Sequence, residues 1–248
     1  MALLDSWTRG SHTGAESARA PVTHPTYRKG SGPGVIVIHE LPGITPEVIG
    51  FAETVVAAGF TVVMPNLFGT PEAPMSGLNI ATSLRRVCVS AEFNKLATGV
   101  TSPVAGWLRS LARELHAELG GPGVGALGMC FTGGFALAMM VDPAVAAPVV
   151  AQPSLPFAIG KARGADLSLS PADLAAVRQR AVDGCQVLGL RYRKDAATGT
   201  RFDTLERELG DAFIRVEFEG KGHSTLTAHR QQEGVDRVLA FFAEQLRA

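Results

Sequence analysis

The chain has 248 residues, 46% of them hydrophobic, and its 23 Lys and Arg residues balance its 23 Asp and Glu residues. This length and apolar fraction suit one large domain with a sizeable core. The balanced charge argues against nucleic-acid partners and acidic membrane surfaces, which usually select a basic excess, and no apolar run reaches the length of a membrane span.

The chain begins with a polar stretch, residues 1–33, which predicts a loose lead-in or a short edge hairpin. Beyond it, short β-branched runs alternate with segments of helical periodicity, a pattern typical of buried strands joined by helices. The predicted strands are Val35–His39, Phe60–Met64, Val124–Met129, Ala147–Gln152, Gln186–Arg191 and Phe213–Glu219. The predicted helices are Thr45–Ala58, Pro103–Leu119, Phe131–Val141, Pro171–Val182 and Thr227–Leu246.

The alternation of strands and helices predicts the α/β class, with a mostly parallel central sheet between two helical layers in a three-layer α/β/α sandwich. Residues 68–101 interrupt the pattern because they mix Pro, Gly and polar residues. We interpret them as a loop-rich insertion with helical pieces near the functional site. The sequence contains no internal repeat and no second hydrophobic core, so residues 34–248 are predicted to form a single domain.

The three cysteines, Cys88, Cys130 and Cys185, are an odd and sparse set without C-x-x-C spacing. This predicts neither a disulfide framework nor a metal site. The N-terminus lacks the basic and apolar segments of a secretory signal. We therefore expect a cytoplasmic protein, where a reactive thiol stays reduced.

The stretch Val124–Met140 carries the most specific signal in the chain. An apolar strand ends at Gly128, Cys130 follows two residues later, and a glycine pair then precedes an apolar helical run. This order is typical of a nucleophile elbow, the sharp strand-to-helix turn that presents an attacking side chain. The pattern departs from G-x-S-x-G, because Thr132 occupies the second small position. The alternative is a buried, inert cysteine at a strand end.

Two further side chains complete the order nucleophile, acid, histidine that is expected of α/β-hydrolases. His223 follows the last predicted strand in a glycine-containing loop and is the candidate general base; the alternative is a structural loop histidine. Asp195 follows the strand that ends at Arg191 and is the preferred acid, which would hold the imidazole in the right tautomer. Asp203, eight residues later and near a predicted helix start, is the alternative acid.

The segment His39–Gly43 follows the first predicted strand, and this turn usually supplies one N–H of the oxyanion hole. The residue after the nucleophile supplies the other, so Leu41 and Phe131 are the predicted backbone donors. Glu40 would disfavour a thiolate at Cys130 or accept the thiol proton, depending on geometry. The alternative for Glu40 is a structural carboxylate in a turn.

Together these motifs resemble the dienelactone hydrolase family, a cysteine-dependent branch of the α/β-hydrolase fold, from about Val35 to the end of the chain. The resemblance rests on His39–Gly43, Gly128–Gly134, Asp195 and Gly222–Ser224. It implies a triad of Cys130, His223 and Asp195 that needs no cofactor or metal. It also implies that Glu40 contacts the resting thiol and swings away when substrate binds.

The resemblance further implies that arginines hold the carboxylate of a dienelactone, an enol lactone that is opened to maleylacetate. Arg85, Arg86 and Arg230 are the nearest matches in this sequence, and Ser224 is a further candidate for substrate binding. The alternative for the basic pair Arg85–Arg86 is a solvated helix face.

We therefore expect a carboxylic ester hydrolase, similar to a carboxymethylenebutenolidase, that opens a lactone or cleaves an ester of a small molecule. It would act as a monomer or homodimer, without cofactor, nucleic acid or membrane. Two alternatives remain open. One is an enzyme of the same fold that hydrolyses a thioester or a simple ester, and the other is a non-catalytic protein that binds a ligand or senses oxidants through Cys130.

Overall fold

A single eight-stranded sheet organises the computed structural model, which describes residues 2–14, 21–90, 92–93 and 96–247. The strands are β1 (Thr8–Gly14), β2 (Val22–Lys29), β3 (Gly34–Ile38), β4 (Thr61–Pro65), β5 (Val124–Met129), β6 (Val145–Ala151), β7 (Val187–Tyr192) and β8 (Phe213–Phe218). Their order is β1-β2-β4-β3-β5-β6-β7-β8. Strand β2 pairs antiparallel with both β1 and β4, whereas the other pairs are parallel, so the mostly parallel sheet is confirmed.

Helices cover both faces of this sheet. They are α1 (Pro46–Ala57), α2 (Gly77–Val89), α3 (Val104–Leu119), α4 (Gly133–Met139), α5 (Lys161–Ala165), α6 (Pro171–Val182), α7 (Arg201–Leu209) and α8 (Gln232–Leu246). Successive strand residues point to opposite faces. Ile36 and Ile38 of β3 accordingly pack with α3 and α4, and Val35 and Val37 pack with α1 and α8. The predicted three-layer α/β/α sandwich is therefore confirmed.

Local capping signals account for where several helices begin. Thr45 caps α1 by accepting a hydrogen bond from the Val48 N–H, and Pro46 occupies the first helical position. Ser170 caps α6 in the same way through the Asp173 N–H. Side-chain oxygens of this kind satisfy amides that have no partner within the helix. These signals are local, which is why the sequence predicts these two helix starts closely.

Other boundaries differ from the prediction. Helix α4 begins two residues later than predicted because Cys130–Thr132 forms a separate 3₁₀ turn. Helix α8 begins at Gln232 rather than Thr227, because Thr227 and His229 donate backbone hydrogen bonds to the Ser224 carbonyl in a preceding turn.

The two polar stretches of the sequence each contain regular structure. Within residues 1–33, β1 and β2 form an edge hairpin, and within residues 68–101 helix α2 is the helical piece. Residues 1, 15–20, 91, 94 and 95 of these stretches, and the side chain of Cys88, lie outside the described part of the chain. Within that part, no helix has the length and hydrophobicity that crossing a membrane requires.

Candidate active site

Cys130 lies on a tight turn directly after β5, at the carboxyl edge of the sheet. Its φ is +54°, a left-handed conformation that non-glycine residues adopt at a cost. The turn is held by the N–H groups of Gly133 and Ser154, which both donate to the Cys130 carbonyl. At Gly128 a Cβ atom would lie 2.2 Å from the Thr132 carbonyl oxygen, so the turn excludes any side chain there.

Thr132 accounts for the departure from the usual elbow pattern. Its Oγ1 accepts a hydrogen bond from the Met129 N–H at 3.0 Å and lies 3.1 Å from the carbonyl oxygens of Ile38 and His39. The hydroxyl therefore joins the elbow to the end of β3. The small residue that lets neighbouring main chain pass close to the turn is one position later, at Gly133, where a Cβ atom would lie 2.7 Å from Pro153 Cα.

His223 and Asp195 lie in direct contact. His223 Nδ1 is 2.7 Å from Asp195 Oδ2, and the carboxylate also accepts hydrogen bonds from the Thr198 hydroxyl and the Ala197 N–H. Burial opposes a charged imidazole, but hydrogen bonds with Asp195 and Cys130 raise the pKa of His223 to about 10. Asp203, the alternative acid, lies on α7 and pairs instead with Arg215.

The thiol of Cys130 has a second polar neighbour that the sequence analysis missed. Ser154 Oγ lies 3.4 Å from Cys130 Sγ, in addition to the interaction of His223 with the Cys130 side chain. Ser154 follows β6, the strand next to β5, so its place after a strand was a usable signal.

Glu40 is 1% exposed, and its carboxylate forms hydrogen bonds with the loop that carries His223. It accepts hydrogen bonds from the hydroxyls of Ser224, at 2.8 Å, and Thr227. Burial raises the pKa of Glu40, and these two hydroxyls and the nearby His223 partly oppose the rise. The resemblance implies contact with the resting thiol, but among the described residues the hydrogen bonds of Glu40 go to this loop and not to Cys130.

Gln152, also missed by the sequence analysis, braces the same loop. Its Oε1 accepts a hydrogen bond from the Thr225 hydroxyl at 2.7 Å. Its amide also interacts with Glu40 and lowers the pKa of that carboxyl. Gln152 Nε2 itself has no partner of ordinary hydrogen-bond geometry in the described part of the chain. Buried polar networks of this kind restrain the segments that they join.

His39 holds the turn that contains the predicted oxyanion donor. Its Nε2 accepts a hydrogen bond from the Leu67 N–H, so Nδ1 carries the proton and donates to the Glu40 carbonyl at 3.1 Å. Burial lowers the pKa of His39 to about 4, although the bond to Glu40 opposes this. His39 is therefore neutral near pH 7. The N–H of Leu41, the residue after Glu40, has no hydrogen-bond acceptor in the described part of the chain.

Aromatic side chains surround the other predicted oxyanion donor, Phe131. Its ring contacts those of Phe68 and Phe93 at centroid distances of 5.5 Å, and those of Phe135 and Phe157 at 6.2 and 6.3 Å. Edge-to-face packing of this type stabilises a rigid apolar wall. This aromatic cluster places an apolar environment directly beside the turn that carries Cys130.

The candidate substrate arginines lie in different surroundings. Arg85 and Arg86 are both exposed on α2, and Arg86 borders a cavity of about 300 Å³ that Phe68 and Phe93 also line. Arg230 is directed at α1 and the start of α8, with Thr54 and Gln232 as hydrogen-bond partners. Ser224, the fourth candidate, is 5% exposed and donates its hydroxyl proton to Glu40. The structure thus brings Arg86 to the aromatic cluster and does not bring Arg230 there.

The described residues contain no group of three His, Cys, Asp or Glu side chains that could hold a metal ion. The polar groups at the edge of the sheet instead form separate hydrogen bonds: Ser154 contacts the Cys130 sulfur, Asp195 contacts the His223 imidazole, and Glu40 contacts the loop that carries His223. This arrangement can transfer a proton between Cys130 and His223 and can hold the imidazole in a single orientation.

Solved structures of low sequence identity share this fold. A dienelactone hydrolase from Anabaena variabilis has 15% identity and a TM-score of 0.66, with 98% of this chain and 100% of that chain covered. A dienelactone hydrolase-like promiscuous phosphotriesterase from metagenomic libraries has 13% identity and a TM-score of 0.64, with coverages of 97% and 99%. A cold-adapted esterase from an Arctic intertidal metagenomic library has 15% identity and a TM-score of 0.60, with coverages of 98% and 95%.

Sequence comparison is more specific. No curated protein sequence matches the chain significantly. The model of the dienelactone hydrolase family, however, matches residues 19–167, which is more than half of the chain and includes Glu40 and Cys130. With the elbow, the strand order and this match in agreement, the chain belongs to the dienelactone hydrolase family.

Proposed function

We propose that the protein is a hydrolase that opens a lactone or cleaves an ester of a small molecule, with Cys130 as the nucleophile. One observation carries the proposal: His223 Nδ1 lies 2.7 Å from the Asp195 carboxylate, and the same imidazole interacts with the Cys130 side chain. A nucleophile, a base within reach and a third group that orients the base are the signature of covalent acyl transfer.

In the proposed reaction, His223 takes the proton of Cys130 and the sulfur attacks the substrate carbonyl. The N–H groups of Leu41 and Phe131 stabilise the oxyanion, and each such donor is worth about 3 kcal/mol in the transition state. The C–O bond then breaks, and the leaving alkoxide takes the proton from His223. A thioester with Cys130 remains, which water hydrolyses with His223 as the base.

The aromatic residues near the thiol favour substrates whose acyl group is apolar. The rings of Phe68, Phe93 and Phe131 form the wall beside the nucleophile. Arg86 borders a cavity that Phe68 and Phe93 also line, where its guanidinium would pair with a substrate carboxylate. One of the solved structures that share this fold is an esterase, which supports ester chemistry in general.

Substitution of the nucleophile tests the reaction class. We expect Cys130→Ala to lower kcat/KM for an aryl ester by on the order of 10³-fold or more, because the covalent step is lost. Cys185→Ala is the matched control, since Cys185 packs against carbonyl groups at the start of β6, the opposite edge of the sheet. The measurement is steady-state hydrolysis with purified, folded variants. Full activity of Cys130→Ala would overturn the proposal and favour a binding or redox-sensing role.

A substrate panel tests the finer assignment. We expect Arg86→Ala to raise KM for a carboxylate-bearing lactone about tenfold, because a charge-assisted hydrogen bond is lost, and to leave a neutral aryl ester unaffected. Arg85→Ala is the matched control, because Arg85 is equally exposed on α2 but does not line the cavity. Equal effects on both substrates would contradict carboxylate recognition, and a strong preference for thioesters would favour the thioesterase alternative.

A further inference from the structure

A buried serine hydroxyl contacts the proposed nucleophile, and neither the family pattern nor the sequence analysis assigns it a role. Ser154 is 7% exposed, and its Oγ lies 3.4 Å from Cys130 Sγ. Among the described residues, this sulfur is the hydrogen-bond partner of the Ser154 hydroxyl. Hydrogen bonds to sulfur are longer than those to oxygen, so this distance allows the hydroxyl proton to point at the sulfur.

The main chain holds this contact in place independently of the hydroxyl. The Ser154 N–H donates to the Cys130 carbonyl at 3.0 Å, and this bond ties the end of β6 to the nucleophile turn. Removing the hydroxyl therefore leaves the backbone link intact. An effect of such a change on the chemistry of Cys130 would come from the lost O–H donor and not from a displaced loop.

Resting on the function proposed above, we propose that Ser154 is a further catalytic residue whose hydroxyl donates a hydrogen bond to the Cys130 sulfur whenever that sulfur carries negative charge. This occurs at two points of the cycle. The first is the thiolate that forms when His223 takes the Cys130 proton, before the sulfur attacks the substrate carbonyl. The second is the departure of the thiolate from the acyl-enzyme.

The departure of the thiolate from the acyl-enzyme defines the chemical role of Ser154. Water adds to the thioester carbonyl and its proton passes to His223. The tetrahedral intermediate then collapses, the C–S bond breaks, and its electron pair remains on the sulfur. The product leaves as a carboxylic acid, and the His223 imidazolium returns its proton to the thiolate. A hydroxyl that donates to the sulfur lowers the energy of this leaving group, because hydrogen bonds to charged acceptors are stronger than those to neutral ones.

The experiment measures the pH dependence of Cys130 alkylation by iodoacetamide, with modification of the Cys130 peptide followed by mass spectrometry. In Ser154→Ala we expect the midpoint of this dependence to move upward by about one pH unit, since a hydrogen bond to a charged group is lost. Hydrolysis of the acyl-enzyme formed from an aryl ester, followed in single turnover, should slow by about three- to tenfold.

Ser168→Ala is the matched control. Ser168 is a buried serine later in the connection after β6, and its hydroxyl has no hydrogen-bond partner among the described residues. Its removal should leave the alkylation midpoint in place. Thermal melts of both variants verify that they are folded.

An unchanged alkylation midpoint in folded Ser154→Ala overturns the assignment of Ser154, and it leaves the hydrolase proposal intact if Cys130→Ala is inactive. Conversely, an active Cys130→Ala overturns both, because the sulfur is then not the nucleophile. A shifted midpoint with unchanged acyl-enzyme hydrolysis also overturns the catalytic role, since the hydroxyl would then act only on the resting thiol.

Discussion

At the scale of single residues, the surroundings and not the residue type separate the two histidines at this edge of the sheet. His39 is fully buried without a carboxylate partner, and burial lowers its pKa to about 4. His223 is partly buried, with 27% of its side chain exposed, but Asp195 and Cys130 outweigh the burial and raise its pKa to about 10. A positioned carboxylate thus decides which imidazole can hold a proton. His39 is suited to bracing a turn, whereas His223 is suited to exchanging a proton with the thiol.

Glu40 shows the same balance for a carboxyl group, and its pKa is raised mainly by burial. A raised pKa means that the folded state binds the proton more tightly than the unfolded state. The contribution of Glu40 to the free energy of unfolding is therefore fully present below the unfolded-state pKa near 4.5. It is lost as the pH rises through the folded-state pKa. Above that window, the folded protein carries a buried carboxylate.

From this we expect Glu40→Gln to be stabilised relative to the natural chain increasingly as the pH rises above about 4.5, by up to about 1.4 kcal/mol per pH unit within the window. Urea unfolding between pH 4 and pH 8 measures the difference. Glu244→Gln, an exposed change on α8, is the control and should show no such trend. A stability difference that does not vary with pH would contradict this account of Glu40.

At the scale of elements, the start of α7 clamps the loops on the acid side of the site. Arg201 is fully buried, and its guanidinium donates to main-chain carbonyls of three loops. These belong to Pro153, Leu155 and Pro156 after β6, to Arg163 and Asp166 around α5, and to Ala197 and Thr198 beside Asp195. One side chain thus fixes the loops that carry both Ser154 and Asp195.

Arg201→Lys tests this clamp. Lysine has three N–H donors in place of five and no planar fork, so several buried carbonyls would lose their partner. We expect the free energy of unfolding to fall by about 2–4 kcal/mol, since each unsatisfied buried group costs about 1–3 kcal/mol. Arg207→Lys is the control on the same helix, where an exposed arginine pairs with Glu208. Denaturant unfolding measures both, and equal effects would contradict a special role for Arg201.

At the scale of the whole molecule, the site is a consequence of strand order. Five adjacent parallel strands, β3, β5, β6, β7 and β8, end at one edge of the sheet. Glu40, Cys130, Ser154, Asp195 and His223 follow them in that order. Ligands bind at the carboxyl ends of strands in open α/β sheets, so the fold assembles these side chains without any long-range motif in the sequence.

Much of this could be predicted from the sequence because its signals are local. The β-branched runs, the capping residues Thr45 and Ser170 and the glycines around Cys130 act within a few residues of themselves, and they specify the strands, most helices and the elbow. Asp195 and His223 could be proposed for the same reason, since each follows a recognisable strand. That local information already determined the α/β architecture and the residues at the edge of the sheet.

Only the tertiary structure decided which of these groups touch. The hydroxyl of Ser224 and the carboxylate of Glu40 lie 184 positions apart in the chain, and Ser154 reaches the thiol from 24 positions away. The late start of α8 and the direction of Arg230 likewise follow from contacts with distant segments. Hydrogen bonds act over about 3 Å, and a local pattern cannot specify distances between separate loops at that precision. Folding of the whole sheet sets those distances.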